Sequence, residues 1–232
     1  MDEFVALRKR VGARESDREF CVGDILNKGP KSIELLRFIR NSSIRVTKGN
    51  HEDKFIRYYL HERERQKTGR KNPMKLDDKE KEIFEALNSE DIRYLLSLPV
   101  YRRIGALTIL HAGVLPDTRL DKLTKKEAAK VMRVRYLTYK GEFVSLDDVD
   151  MAQHFWWSDL YDGRYGYIVY GHQPFLKPRV DRWSFGIDTG GVYGNVLTAV
   201  IFKEGQPWEY GFVSEDCRPY AKMERAWILP NL

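Results

Sequence analysis

Short apolar runs alternate along this chain with clusters of glycine and polar residues, a pattern that predicts strands ending in loops. Phe20-Cys21-Val22 runs into Gly23-Asp24, and Ile44-Arg45-Val46 leads to Gly49-Asn50-His51. Between them Ile33, Leu35, Leu36, Phe38 and Ile39 recur at helical spacing behind Pro30 and Ser32. Open α/β sheets use this strand, loop, helix, strand order to gather polar groups at the carboxyl ends of parallel strands. The arrangement recurs downstream. Leu107-Thr108-Ile109-Leu110 runs into His111-Ala112-Gly113, and Tyr167-Ile168-Val169-Tyr170 runs into Gly171-His172.

The remaining pattern predicts one domain over residues 1–232 with a helical cap inserted at about 54–98. Phe4, Val5, Leu7 and Val11 mark an amphipathic helix over residues 2–11. The charged run from His61 to Lys67 reads as a solvated helix face or as a nucleic-acid patch, with Arg102-Arg103 as a second basic pair. A helix over 124–137 would end in the Arg133 region. The aromatic stretch from Gln153 to Tyr167 either closes a core or offers Trp156 or Trp157 to stack an adenine. Apolar runs from Trp183 to Phe212, divided by glycines, predict a terminal antiparallel set.

Composition narrows the partners. Apolar residues make up 42% and charged residues 32%, the balance of an ordered domain and not of a disordered chain. A net charge of +6 suits an anionic substrate, without separating nucleotide, phosphoprotein and RNA. Two cysteines, Cys21 in an apolar run and Cys217 in a polar one, predict free thiols and a reducing compartment. No apolar stretch approaches the roughly 20 residues of a membrane span, and Met1-Asp2-Glu3 is acidic where a signal peptide is basic. The cytoplasm is the expected location.

The chemistry lies in the residues beside the glycines. Asp24 offers a carboxylate, Asn50 a carbonyl oxygen, and His51, His111 and His172 imidazoles, a donor set suited to a divalent cation. Three of the five histidines occupy this one setting.

In order, Gly23-Asp24-Ile25-Leu26-Asn27-Lys28-Gly29, Gly49-Asn50-His51-Glu52, His111-Ala112-Gly113 and Gly171-His172 resemble the GDxxDRG, GNHE, HAG and GH motifs of the calcineurin-like metallophosphoesterases. More narrowly, the chain resembles the branch holding bacterial symmetrical diadenosine tetraphosphatases and phage-type Ser/Thr phosphatases, and Met132-Arg133-Val134-Arg135-Tyr136 and the segment from Gly186 to Thr198 resemble segments of the tetraphosphatases. The resemblance implies an α/β fold of two mixed β-sheets packed face to face with helices outside. It implies two divalent ions, manganese first and iron, zinc or cobalt as alternatives. Asp24 would bridge them, and Asn50, His111 and His172 would complete the second site.

By the same resemblance His51 protonates the leaving oxygen, while Lys28, Arg133 and Arg135 contact phosphate. Asn27 and Lys28 stand where the motif has Asp and Arg, which argues modestly against a protein phosphatase. The family's opening DxHG, which holds the first metal, occurs nowhere in the 232 residues. The expectation is that this strand and motif precede Met1, so that the chain from Met1 has weak or no activity. The implied reaction is symmetrical cleavage of diadenosine tetraphosphate. Alternatives are a phage-type Ser/Thr phosphatase and a non-catalytic phosphate-binding relative; capped RNA and phosphoprotein are further candidate partners.

Overall fold

The computed structural model describes residues 1–221 as mixed α/β, with helices outside several sheets. In chain order the elements are α1 (Asp2–Val11), β1 (Phe20–Cys21), α2 (Ser32–Arg40), β2 (Arg45–Val46), α3 (Asn50–Thr68), α4 (Asp78–Ala86), α5 (Ser89–Ser97), β3 (Tyr101–Ile104) and β4 (Leu107–Leu110). They continue with α6 (Lys125–Val131), β5 (Tyr136–Leu137), β6 (Phe143–Val144), β7 (Phe155–Trp156), β8 (Tyr167–Tyr170), β9 (Arg179–Asp181), β10 (Ser184–Gly186), β11 (Val196–Lys203) and β12 (Gln206–Asp216). β1 pairs parallel to β2, and β4 parallel to β8, so the four ligand-bearing loops all leave carboxyl ends of parallel strands.

Helices end where the sequence provides stops. α1 finishes at Gly12 in the left-handed region, where a residue without Cβ is unstrained. Asp77 and Glu80 cap α4 reciprocally, as Asn88 and Asp91 cap α5. The segment expected as an inserted cap holds most of α3 together with α4 and α5. Phe55, Ile83 and Leu95 there share one apolar cluster with Leu36, Ile39 and Val46. These helices thus bury their stripes against α2 and the β1–β2 pair, while Lys79 and Glu80 reach Asn27 near the site.

Two readings need correction. The helix expected over 124–137 spans only Lys125–Val131; Arg133 lies in the turn beyond, and Tyr136–Leu137 is a strand. The run after Trp183 is not all antiparallel. β10 pairs antiparallel to β9 and parallel to β8, closing the five-stranded order β3-β4-β8-β10-β9, while β11 and β12 form a separate hairpin. Single-strand patterning cannot show which neighbour a run will meet.

Beside the site is a cleft of about 960 Å³. Its walls are residues 18–24 leading through β1, residues 196–205 of β11 and its turn, one face of α1, and Ile109 and Val169 of the five-stranded sheet. Among the described residues β1 pairs only with β2, and β11 only with β12 apart from a bridge at Val196. One end of the cleft reaches Asp24, His111 and His172.

Candidate metal centre and active site

Asp24, His111 and His172 bring one ligating atom each within 4.8 Å of one another. Asp24 leaves β1, His111 ends β4 and His172 ends β8, so three separate strand ends deliver them. Asn50, the first residue of α3, adds a fourth donor: its Oδ1 is 2.9 Å from His111 Nε2, and Asp24 Oδ1 is 3.2 Å from the same nitrogen. On the far side His111 Nδ1 donates to the carbonyl of Val22 at 2.7 Å. That bond takes up Nδ1 and leaves Nε2 facing two oxygens, the orientation a metal-binding imidazole has. Three acceptors turned on one another are unfavourable unless a cation lies among them. His172 Nε2 is buried with no hydrogen-bond partner, and an orphaned buried nitrogen is costly without a ligand. The residues therefore fit a divalent cation bound by nitrogen and oxygen.

The backbone around the site is strained. Among the described residues, three that are not glycine hold left-handed conformations: Asp24 (φ 57°), Asn27 (φ 62°) and His172 (φ 71°). Strain of this kind costs about 1–3 kcal/mol per residue and persists where the surroundings enforce it. One brace is Glu52, fully buried, whose carboxylate accepts from the amides of Asp24 (2.9 Å), Leu26 (3.0 Å) and Gly49 (2.9 Å). The glycines matter by close approach. A Cβ on Gly49 would run into the Asp24 carboxylate, and one on Gly23 would lie 2.7 Å from Gly49 N and 2.9 Å from His111 Nδ1.

Electrostatics separate the roles. Burial pushes the Asp24 carboxyl up, but His111, His51 and Lys28 pull it further, below the usual carboxylate range, so it is ionised. Burial would lower the Lys28 ammonium; Asp24 outweighs it and raises the group, with Nζ 3.6 Å from Asp24 Oδ2. His172 is held well below its ordinary value by burial and then by Arg135, and so is neutral as a ligand must be. His51 is lowered to about 4, chiefly by burial. Its Nδ1 lies 3.4 Å from Asn27 Nδ2, and that amide also donates to Glu80 at 3.2 Å. With Asn27 Nδ2 as donor, the neutral His51 ring carries its proton on Nε2, 3.9 Å from Asp24 Oδ2.

The arginines belong to the same locality. Arg133 donates to Asp53 at 3.0 Å, and Arg135 Nε to Gln173 Oε1 at 2.6 Å. Both are partly buried and lie beyond the end of α6. Adenine stacking by Trp156 or Trp157 is overturned: the two are 4% and 0% exposed and pack in the core with Tyr170 and Phe175. The stretch 153–167 closes a core. Glu52 and Asp188 were missed as site residues. Glu52 had a signal in its place three residues past Gly49, the N3 position of a capping box. Asp188 is half-buried, and desolvation raises its carboxyl, with Lys28, Asp24 and His111 as neighbours.

A family model for calcineurin-like phosphoesterases matches residues 1–202. The chain belongs to that family. It is a metallophosphoesterase by descent and a hydrolase by class, and Asp24, His111 and His172 form a group that could hold a metal ion. A Bacillus velezensis protein named bis(5'-nucleosyl)-tetraphosphatase [asymmetrical] is 30% identical over 229 residues, covering 88% of this chain and 85% of its own. A Vibrio parahaemolyticus protein named bis(5'-nucleosyl)-tetraphosphatase, symmetrical, is 24% identical over 265 residues, covering 88% and 92%. A crystal structure whose description proposes a diadenosine tetraphosphatase superposes with a TM-score of 0.73 at 20% identity, covering 94% of this chain and 88% of that one, which confirms the fold.

Proposed function

We propose that this phosphoesterase cleaves a phosphoanhydride of a dinucleoside tetraphosphate, with Asp24, Asn50, His111 and His172 holding a divalent cation, manganese by preference. The observation that carries the reading is the convergence of Asp24, His111, His172 and the Asn50 oxygen on one point, beside two arginines. Relatives named tetraphosphatases support the substrate. A cation bound there supplies Lewis acidity toward phosphoryl oxygen and activation of water near neutral pH.

The chain's own residues do the rest. Arg133 and Arg135 set guanidinium charge beside the site, suited to forked phosphate contacts. Lys28 brings a point charge to the Asp24 side. His51 is neutral at rest and faces the reacting region with Nε2; the negative charge of a bound polyphosphate raises its pKa so that Nδ1 takes up a proton from solvent, and the imidazolium then gives its Nε2 proton to the leaving oxygen and returns to the neutral ring. A second ion sharing Asp24 belongs to this proposal, as does a cytoplasmic location, which two free cysteines support. No helix among the described residues is long and apolar enough to cross a membrane.

The test is incubation of the Mn²⁺-loaded chain with diadenosine tetraphosphate, a phosphopeptide and a chromogenic phosphomonoester. Two ADP signify symmetrical cleavage, the reading of the tail segment; ATP with AMP signifies the asymmetrical cut carried in the names of the relatives near 30% identity. Turnover of phosphopeptide alone would overturn the proposal in favour of a protein phosphatase.

A further inference from the structure

Next to the metal ligands lies a hollow of about 300 Å³, distinct from the long cleft. Asn50 and His172 form its end at the metal site, Arg133 and Arg135 line it, and Phe143 and Leu146 provide apolar wall. Its size falls at the lower end of the range for small-molecule sites, roughly 300–1,000 Å³. The apolar wall is built by the fold. β5 pairs with β6 so that Leu137 faces Phe143 in register, which fixes Phe143 beside the chain that has just left Arg133 and Arg135. Phe143 and Leu146 rest against the main core while staying only partly buried. Both line the hollow. Arg135 is held by Gln173, a neutral acceptor that fixes the guanidinium without cancelling its charge.

The hollow's lining thus combines two candidate metal ligands, two guanidinium groups and the side chains of Phe143 and Leu146. That combination suits a nucleoside 5'-polyphosphate, with its reacting phosphorus, flanking phosphates and base. We propose that this hollow seats one nucleoside end of the substrate, with phosphates on Arg133 and Arg135 and the base against Phe143 and Leu146. The β5–β6 hairpin then makes the site selective for nucleotides over other anhydrides. The inference rests on the tetraphosphatase reading for its substrate, and its own test is binding.

ADP and inorganic pyrophosphate are titrated calorimetrically into the Mn²⁺-loaded chain. ADP is expected to bind about tenfold more tightly, the order contributed by one stacked base. Phe143→Ala is expected to abolish that preference and leave pyrophosphate affinity unchanged. Equal affinities in the unaltered chain, or a preference that survives Phe143→Ala, would overturn the assignment. Should Phe143→Ala unfold the hairpin, Leu146→Asp serves in its place, expected to weaken ADP more than pyrophosphate; equal weakening counts against the subsite. A nucleotide preference without cleavage of diadenosine tetraphosphate would keep the subsite and remove the catalytic reading, so the two failures are distinct.

Discussion

The carboxylate of Glu52 accepts a hydrogen bond from the backbone amide of Asp24 at 2.9 Å across 28 residues of sequence. With its further bonds to Leu26 and Gly49, this one side chain ties the loop after β1 to the first turn of α3. The left-handed Asp24 is held in ligand position from behind.

Replacing Glu52 by Gln tests that brace. Gln keeps the shape but turns an NH₂ group toward amides that already donate, so a buried donor loses its acceptor. The expected cost is about 2–4 kcal/mol in urea denaturation, with a matching fall in metal affinity by calorimetry. Unaltered stability would mean that the three amides are satisfied some other way.

Gly49→Ala should be worse for function than for folding. Its methyl group meets the Asp24 carboxylate and, at 2.6 Å, the Asp24 amide, both backed by the Glu52 brace. Mn²⁺ binding is expected to fall more than tenfold, because the carboxylate must rotate away, while the circular dichroism spectrum keeps its helical signal.

Metal should stabilise the chain measurably. A ligand at 100 times its Kd adds about 2.7 kcal/mol to a native state that alone binds it. Chelation should therefore lower the melting temperature, and His172→Ala or His111→Ala should abolish the difference between chelated and loaded protein. A metal-induced rise that persisted in both variants would place the cation elsewhere.

For pH, His51 decides the sign. Its folded value near 4 is below the ordinary 6.5, so the folded state binds fewer protons than the unfolded chain. The favourable contribution is intact above pH 6.5 and is lost as pH falls through 4. The penalty approaches roughly 3 kcal/mol at the low end, and His51→Gln should flatten that part of the stability profile in acid denaturation.

How far the sequence spoke is clear from particular residues. Asp24, Asn50, His111 and His172 were legible because each follows an apolar run beside a glycine, a signal carried by neighbours in the chain. The α1 and α2 boundaries were legible from periodicity and end signals. The extent of α6, the mixed pairing of β10 and the burial of Trp156 and Trp157 were not, since each depends on which distant segment packs against it. Glu52 and Asp188 share that obscurity: an acidic residue in a polar stretch reads as solvent-facing until tertiary structure closes over it.

The cleft between β1 and β11 has an energetic consequence of its own. Among the described residues each strand has one partner strand, β2 or β12, and both line the same cleft; an unpaired strand edge is a template for an incoming extended backbone. Amide exchange should be rapid in Phe20, Cys21 and the β11 rim and slow in β4 and β8, which are sheltered inside the five-stranded sheet. Any polypeptide that zipped into the gap would join two hairpin-sized sheets into one wide one, stiffening the wall from which Asp24 projects.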